Sequence, residues 1–431
     1  MLEPEAEVVI IGGGIIGCSA AYYLAKRGVD VTLIEKGDIA GEQSSRNWGW
    51  VHQQVRYPQL IPLAVMSRQI WAGLEEELEA DIEWEQGGNL SLGFDAEDMA
   101  DFESWREPAR ELGLETAILT RNEVAALVPE MRGPWVGAIQ VPSDGQGSPQ
   151  KATAAFAAAA ERYGARIHTR CAVERLIVEG GSVRGVITEA GPIRTSQVVC
   201  AAGAWSARLA RPLGLRLPQQ SVRSTVVRTA PTEAITKLTA WGDGVTFRQD
   251  RQGRFVIAGG GGAIYDVNLD MLRNLRQFLP TAWRNRRWLG IRAGGPLLRD
   301  LRAQIPRSEA RRHPWSQLRD IDPAPHRKGA SRALGRFQQL FPSLADLPVE
   351  RIWAGNIDST PDQAPALGWV GDPAGFMFAT GFSGHGFAMG PGAGKIVSEL
   401  ILDEGPSLDL HKYRFARFAE DDLAPVTARR R

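Results

Sequence analysis

Four short runs of apolar residues stand out along the chain: Val8 to Ile11, Val31 to Ile34, Val198 to Ala201 and Phe376 to Thr380. Such short, nearly unbroken runs predict strands covered on both faces in a parallel sheet. Between the first two the spacing changes. Ala21, Leu24 and Ala25 recur on one helical face, and Gly28 supplies a C-terminal stop. The last run leads into a second helical pattern, in which Ile396, Val397, Leu400 and Ile401 share a face. Ahead of Val198, breaks at Gly180-Gly181 and Gly191-Pro192 predict a three-stranded meander. The Val198 run then ends in Ala202-Gly203-Ala204, with a helix beginning at Trp205 or Ser206. Farther on, Val245 and Phe247 alternate ahead of a turn at Asp250 to Gly253, which puts Arg248 at a strand end.

A chain of 431 residues can bury a large core and is expected to form two domains. Lysine plus arginine and aspartate plus glutamate both number 50, so the formal net charge is zero. That balance lacks the basic footprint that tracks nucleic-acid phosphates. The local basic clusters Arg284 to Trp288 and Ala428 to Arg431 read as solvated surface. Cys18, Cys171 and Cys200 are scattered and odd in number, without metal-ligand spacing, so buried apolar roles in a reducing compartment and no metal are expected. No apolar run is long enough to span a bilayer, and the first residues are acidic where a signal peptide would be basic. The expected location is cytoplasmic.

Candidate chemistry begins at the first strand. Gly12, Gly14 and Gly17 satisfy G-x-G-x-x-G between a strand and a helix, and the second strand ends at Glu35. Each part has a physical task in holding a dinucleotide. Gly12 makes the tight turn, Gly14 admits a pyrophosphate to the helix N-terminus, and Gly17 lets helix and strand pack closely. Glu35 can accept hydrogen bonds from ribose hydroxyls. Its charge would repel a 2′-phosphate, so NADP is disfavoured and FAD or NAD remains. The meander inserted before the Val198 strand supports FAD.

A second glycine-rich stretch, Gly381 to Lys395, invites comparison with a P-loop. The comparison fails, because Met389 and Ile396 stand where the first glycine and the hydroxyl should be. With its surroundings, however, this region resembles the FAD-dependent amino-acid oxidase family that includes glycine oxidase, sarcosine oxidase and D-amino-acid oxidase. The resemblance rests on Trp353-Ala354-Gly355, Thr360-Pro361-Asp362, Pro365, Gly384-His385-Gly386, Pro391 and Gly394, together with the N-terminal fingerprint and the meander.

The resemblance implies noncovalent FAD, held by Gly12, Gly14, Ile15, Ile16, Gly17, Glu35 and Lys36 at the first turn and by Ser44, Ser45 and Arg46 around the pyrophosphate. Val173, Ala202, Gly203 and Trp205 would join them, and Gly381, Gly384, His385, Gly386, Phe387 and Ala388 would lie against the flavin. His385 either touches the ring system or satisfies the turn as a structural histidine. Trp48, Trp50, His52 and Arg56 are candidates for the substrate side, or else form a Trp-rich core segment. The family pattern also breaks. Asn356-Ile357-Asp358 holds neither the carboxylate-binding arginine of glycine oxidase-like members nor the flavin-linking cysteine of sarcosine oxidase-like ones. The stretch from Arg254 to Asp266 likewise lacks a lysine for reaction with dioxygen. A substrate carboxylate would then need Arg248, with Arg292 as second choice, unless both are surface arginines. His385, Arg248 and His52 are the expected catalytic residues.

The expected fold is α/β: a Rossmann-like FAD-binding domain with a parallel sheet and inserted meander (1–80, 150–215 and 350–431), interleaved with a mixed-sheet substrate domain (81–149 and 216–349). The expected activity is oxidation of a C–N bond of an amino acid, N-substituted amino acid or secondary amine by hydride transfer to flavin N5, giving an imine that hydrolyses, with dioxygen or another electron acceptor. Alternatives are the FAD subunit of a heteromeric amine or opine dehydrogenase, docking a partner near Trp283 to Trp288, and a non-catalytic FAD-bound assembly factor. The sequence leaves the oligomeric state open.

Overall fold

The computed structural model describes residues 2–55, 57–259, 263–284, 289–305 and 318–424. Two sheets organise it. The first has six strands, running in space from Ala366–Trp369 through Phe376–Thr380, Gln197–Cys200, Val8–Ile11 and Val31–Ile34 to Arg166–His168. All its pairings are parallel except that of the edge strand Ala366–Trp369. The continuous apolar runs are buried here because helices such as Ile15–Lys26 and Gly386–Ile401 cover one face, while the meander and the short helix Ser206–Ala210 cover the other. The meander forms its own three-stranded sheet from Val173–Glu179, Ser182–Thr188 and Gly191–Arg194.

The second sheet has ten strands and is mixed. It is built around the long strand Gln220–Pro231, which pairs on one edge with Val349–Ser359 and on the other with Arg254–Gly259 and Ala263–Asp266. The expected domain boundary at 350 therefore falls at the start of a strand of this sheet, and the chain returns to the first sheet only at Ala366. A separate apolar core, including Phe247, Phe255, Phe337 and Phe341, lies under the second sheet.

The glycine-rich stretch near the C-terminus divides into two parts with different physical causes. Gly381 and Gly384 have positive φ and form a turn. The helix already starts at Gly386 and runs to Ile401, so Pro391 lies inside it and Lys395 is well along it, exposed beside Glu399. The proline therefore belongs to the helix and not to the turn. Gly390 and Gly394 serve close packing against the helix Ile15–Lys26. A Cβ at Gly390 would sit 2.7 Å from the Ile15 side chain, and one at Gly394 would sit 2.3 Å from Ser19 Oγ. Gly390 and Gly394 thus let these two helices touch.

Candidate active site

A cleft of about 590 Å³ runs between the two sheets. One end is built by the turn after the first strand. A Cβ at Gly12 would lie 2.4 Å from the Ala201 carbonyl oxygen, and one at Gly17 would lie 1.9 Å from the Gly12 carbonyl oxygen. These two positions hold the strand against the helix, and Gly17 itself does not line the cleft. Gly12, Gly14, Ile15 and Ile16 do. Glu35 accepts hydrogen bonds from the backbone N–H groups of Gly13 and Gly37, both at 2.6 Å. Burial raises its pKa, and those two donors oppose the rise. Ser44 Oγ accepts from Ile15 N–H at the helix N-terminus (2.9 Å).

Several other expected cofactor residues meet at the same end. Lys36, Arg46, Val173, Ala202, Gly203 and Trp205 line the cleft. Lys36 Nζ donates to the Leu318 carbonyl (2.7 Å), and Trp205 Nε1 donates to Glu42 (3.0 Å). Ser45 is turned away and donates to the Glu42 carbonyl. This end fits a dinucleotide. It offers glycine backbone at a helix N-terminus, a hydroxyl, an acid beside the turn, and an Arg46 Nε that is buried without a hydrogen-bond partner.

At the other end Gly384, His385, Gly386, Phe387 and Ala388 line the cleft, whereas Gly381 is buried behind it. Asp358, in the stretch that lacks the expected flavin-linking cysteine, is a buried hub. It accepts from Gln43 Nε2 (2.9 Å), Gly381 N–H (2.8 Å), Gln219 Nε2 (3.2 Å) and Thr380 Oγ1 (3.3 Å). Burial raises its pKa. The hub ties the glycine turn to the segment carrying Ser44, and neither Gln43 nor Gln219 carries a motif that marks it in the sequence.

The residues from 48 to 55 alternate strictly. Trp48, Trp50, His52 and Gln54 line the cleft, while Val51, Gln53 and Val55 are buried behind them. Trp48 and Trp50 meet edge to face at 5.8 Å, as do Trp50 and His52, and the His52 ring lies 5.6 Å from that of His385. Burial pushes the His385 pKa down to about 4. Burial, with a smaller contribution from His385, takes that of His52 down to about 3. Both imidazoles are therefore neutral at neutral pH, and both Nδ1 atoms are buried without a hydrogen-bond partner. The second sheet completes the wall with residues that no sequence signal marked: Asn89, Ser91, Trp241, Thr246 and Tyr265.

Arg248 is not among the cleft-lining residues. Its side chain is buried behind the 48–50 segment, where Nε donates to the Trp48 carbonyl and Nη1 to Gln146 Oε1 (3.1 Å). Desolvation pushes its pKa down to about 10, so it stays charged at neutral pH. Arg292 is exposed and outside the cleft, and Arg56 lies outside the described residues. The cationic side chains among the described lining residues are Lys36 and Arg46, both from the segment that follows the second strand. Among the described residues no cluster of acids, histidines or cysteines could hold a metal, and no helix is long and apolar enough to cross a membrane.

Comparison with known proteins agrees with this geometry. The chain is 26% identical over 425 residues to 4-methylaminobutanoate oxidase (formaldehyde-forming) from Paenarthrobacter nicotinovorans, covering 97% of this chain but 46% of that protein. It is 24% identical to glycine oxidase from Bacillus subtilis (strain 168), covering 96% of this chain and 98% of the relative. The structure of L-amino acid deaminase from Proteus myxofaciens in complex with anthranilate superposes with a TM-score of 0.92 at 26% identity, covering 97% of this chain and 94% of that one. The chain thus spans about half of one relative and nearly all of the other two. The FAD dependent oxidoreductase (DAO) family matches residues 7–400, and with a dinucleotide turn, an inserted meander and a glycine turn facing one cleft, the chain belongs to that family.

Proposed function

We propose that this protein is a cytoplasmic flavoenzyme that oxidises the C–N bond of an amino acid, an N-substituted amino acid or a secondary amine to an imine, which water then hydrolyses. The observation that carries this reading is the wall of Trp48, Trp50, His52 and Gln54 set against the turn at His385. FAD, noncovalently bound at the residues described, supplies the hydride acceptor, and dioxygen or another acceptor completes the oxidation.

The chain's own residues prepare the substrate. Hydride loss from the carbon requires the neutral amine, since an ammonium has no lone pair to stabilise the developing cation. Trp48 and Trp50 present apolar surface that displaces water, and an ammonium without a counter-charge is costly in such surroundings. His52 and His385, held neutral, can accept a hydrogen bond at Nδ1 from an amine N–H without fixing it as a cation. A substrate carboxylate would meet neutral donors in this half of the cleft. Gln54 is oriented by Ser91, whose hydroxyl donates to its Oε1 (2.8 Å), and Thr246 Oγ1 is buried without a partner.

The test is an anaerobic titration of the purified yellow protein with pooled amino acids, N-methyl amino acids and secondary amines. Bleaching of the flavin absorbance by at least one class is expected. A flavin that no amine bleaches would overturn the proposal and favour a non-catalytic, FAD-bound role.

A further inference from the structure

Residues 318–322 join the second sheet to the dinucleotide end of the cleft. Just past them the chain is fixed to the long strand Gln220–Pro231. There Arg223 Nη1 donates to the Ala324 carbonyl (2.6 Å), and the His326 N–H donates to Thr225 Oγ1 (2.9 Å). Ahead of that anchor, the segment grips the loop 36–42, which follows the strand Val31–Ile34. Lys36 Nζ donates to the Leu318 and Arg319 carbonyls, and Arg319 Nη1 donates back to the Lys36 carbonyl (2.8 Å). Arg319 Nη2 also reaches Glu189 Oε1 in the meander (2.9 Å). The Asp38 N–H donates to Asp320 Oδ1 (3.2 Å), and Asp322 pairs with Arg46 (3.4 Å).

The loop is shaped to receive this segment. A Cβ at Gly41 would lie 1.9 Å from Asp320 Oδ1. One at Gly37 would lie 2.2 Å from Asp320 Oδ1 and 2.8 Å from the Arg319 carbonyl oxygen, and the three atoms nearest to it all belong to Arg319 and Asp320. Gly37 lacks the positive φ that would itself call for glycine, so the segment is what excludes a side chain there. None of 318–322 lines the cleft, whereas Lys36, Asp38, Gly41 and Arg46 do. The segment therefore acts on the wall of the dinucleotide end through the loop that forms it. Contacts that stiffen such a loop lower the population of its open states, through which a bound ligand leaves.

We propose that 318–322 is a strap that retains FAD, with Arg319 and Asp320 as positioning residues that hold loop 36–42 in place and slow cofactor release. The inference is independent of the substrate reading. It rests on noncovalent FAD, which acid precipitation tests separately.

The rate of FAD release from the full-length, FAD-loaded protein tests it, followed as the rise in flavin fluorescence on dilution. R319A/D320A should release FAD about tenfold faster than the wild type, the combined weight of two largely exposed charged contacts. Gly37→Ala leaves the strap residues intact but wedges them away, and should speed release to a similar degree. The triple variant G37A/R319A/D320A should be no faster than R319A/D320A, because both changes break the same contact. An unchanged melting temperature of the apoprotein and an unchanged spectrum of the bound flavin would separate this from general unfolding. Wild-type release rates in R319A/D320A or in Gly37→Ala would overturn the proposal. Effects that multiply in the triple variant would overturn it as well, since Gly37 would then act on the cofactor without the strap.

Discussion

The burial of Arg248 permits a discriminating experiment. If this arginine clamped a substrate carboxylate, Arg248→Lys would impair amino acids and leave amines without a carboxylate untouched. Its position behind the cleft predicts something else. The guanidinium bonds the Trp48 carbonyl and Gln146 Oε1 at once, and it fills the space beside Gly49, where an added Cβ would lie 2.8 Å from Nη2. A lysine ammonium has no planar fork and can serve one of the two acceptors. Losing one charge-assisted hydrogen bond costs about 1.5–3 kcal/mol. If all of that appeared as misplacement of Trp48 and Trp50, kcat/KM would fall by about tenfold to about 150-fold, as an upper bound. The assay compares an oxidised amino acid with the corresponding amine or ester lacking the carboxylate, at matched flavin content. Equal losses for both are expected, with an unchanged flavin spectrum. A loss confined to carboxylate substrates would refute the positioning role, and so would unchanged kinetics for both.

The other predictions concern the cofactor and pH. Gly14→Val would put a branched side chain at the helix N-terminus, where even a bare Cβ would lie 3.0 Å from Ser44 Oγ; the protein should purify colourless, as absorbance near the flavin bands will show. Acid precipitation of the wild type should release all flavin into the supernatant, and colour retained in the pellet would contradict noncovalent binding. His52 and His385 have folded pKa values of about 3 and about 4, below their ordinary value, so the stability linked to them is present above pH about 6.5 and is lost as pH falls through the folded values. Denaturant midpoints should therefore decline on acidification, and the His52→Gln/His385→Gln double variant should flatten that limb. Asp144 works in the opposite sense. Burial pushes its pKa up to about 7, so its contribution is present below the ordinary carboxylate pKa of about 4 and is lost as pH rises to about 7, and Asp144→Asn should flatten the fall between those two values.

Much of this protein is determined locally and can be read from the chain. Val8–Ile11, Val31–Ile34 and Phe376–Thr380 form strands over the residues their apolar runs mark, because a strand covered on both faces is almost wholly apolar. The dinucleotide turn is legible in part for a related reason: the clash that excludes a side chain at Gly17 involves the Gly12 carbonyl five residues back, whereas that at Gly12 involves Ala201 on a remote strand. The alternation of Trp48, Trp50, His52 and Gln54 is also written in the sequence, although which side of it faces the cleft is not. The tertiary structure decided what no local pattern contains. Thr246 and Arg248 share one side of the same strand, yet Thr246 reaches the cleft while Arg248 is covered by a segment 200 residues away. Asp358 became a structural hub through Gln43, 315 residues distant, and through Gly381. Gly390 and Gly394 of the last helix face Ile15 and Ser19 rather than a ligand. In each case the role of a side chain depends on which remote backbone closes over it, and that is settled only when the two sheets and their helices pack together.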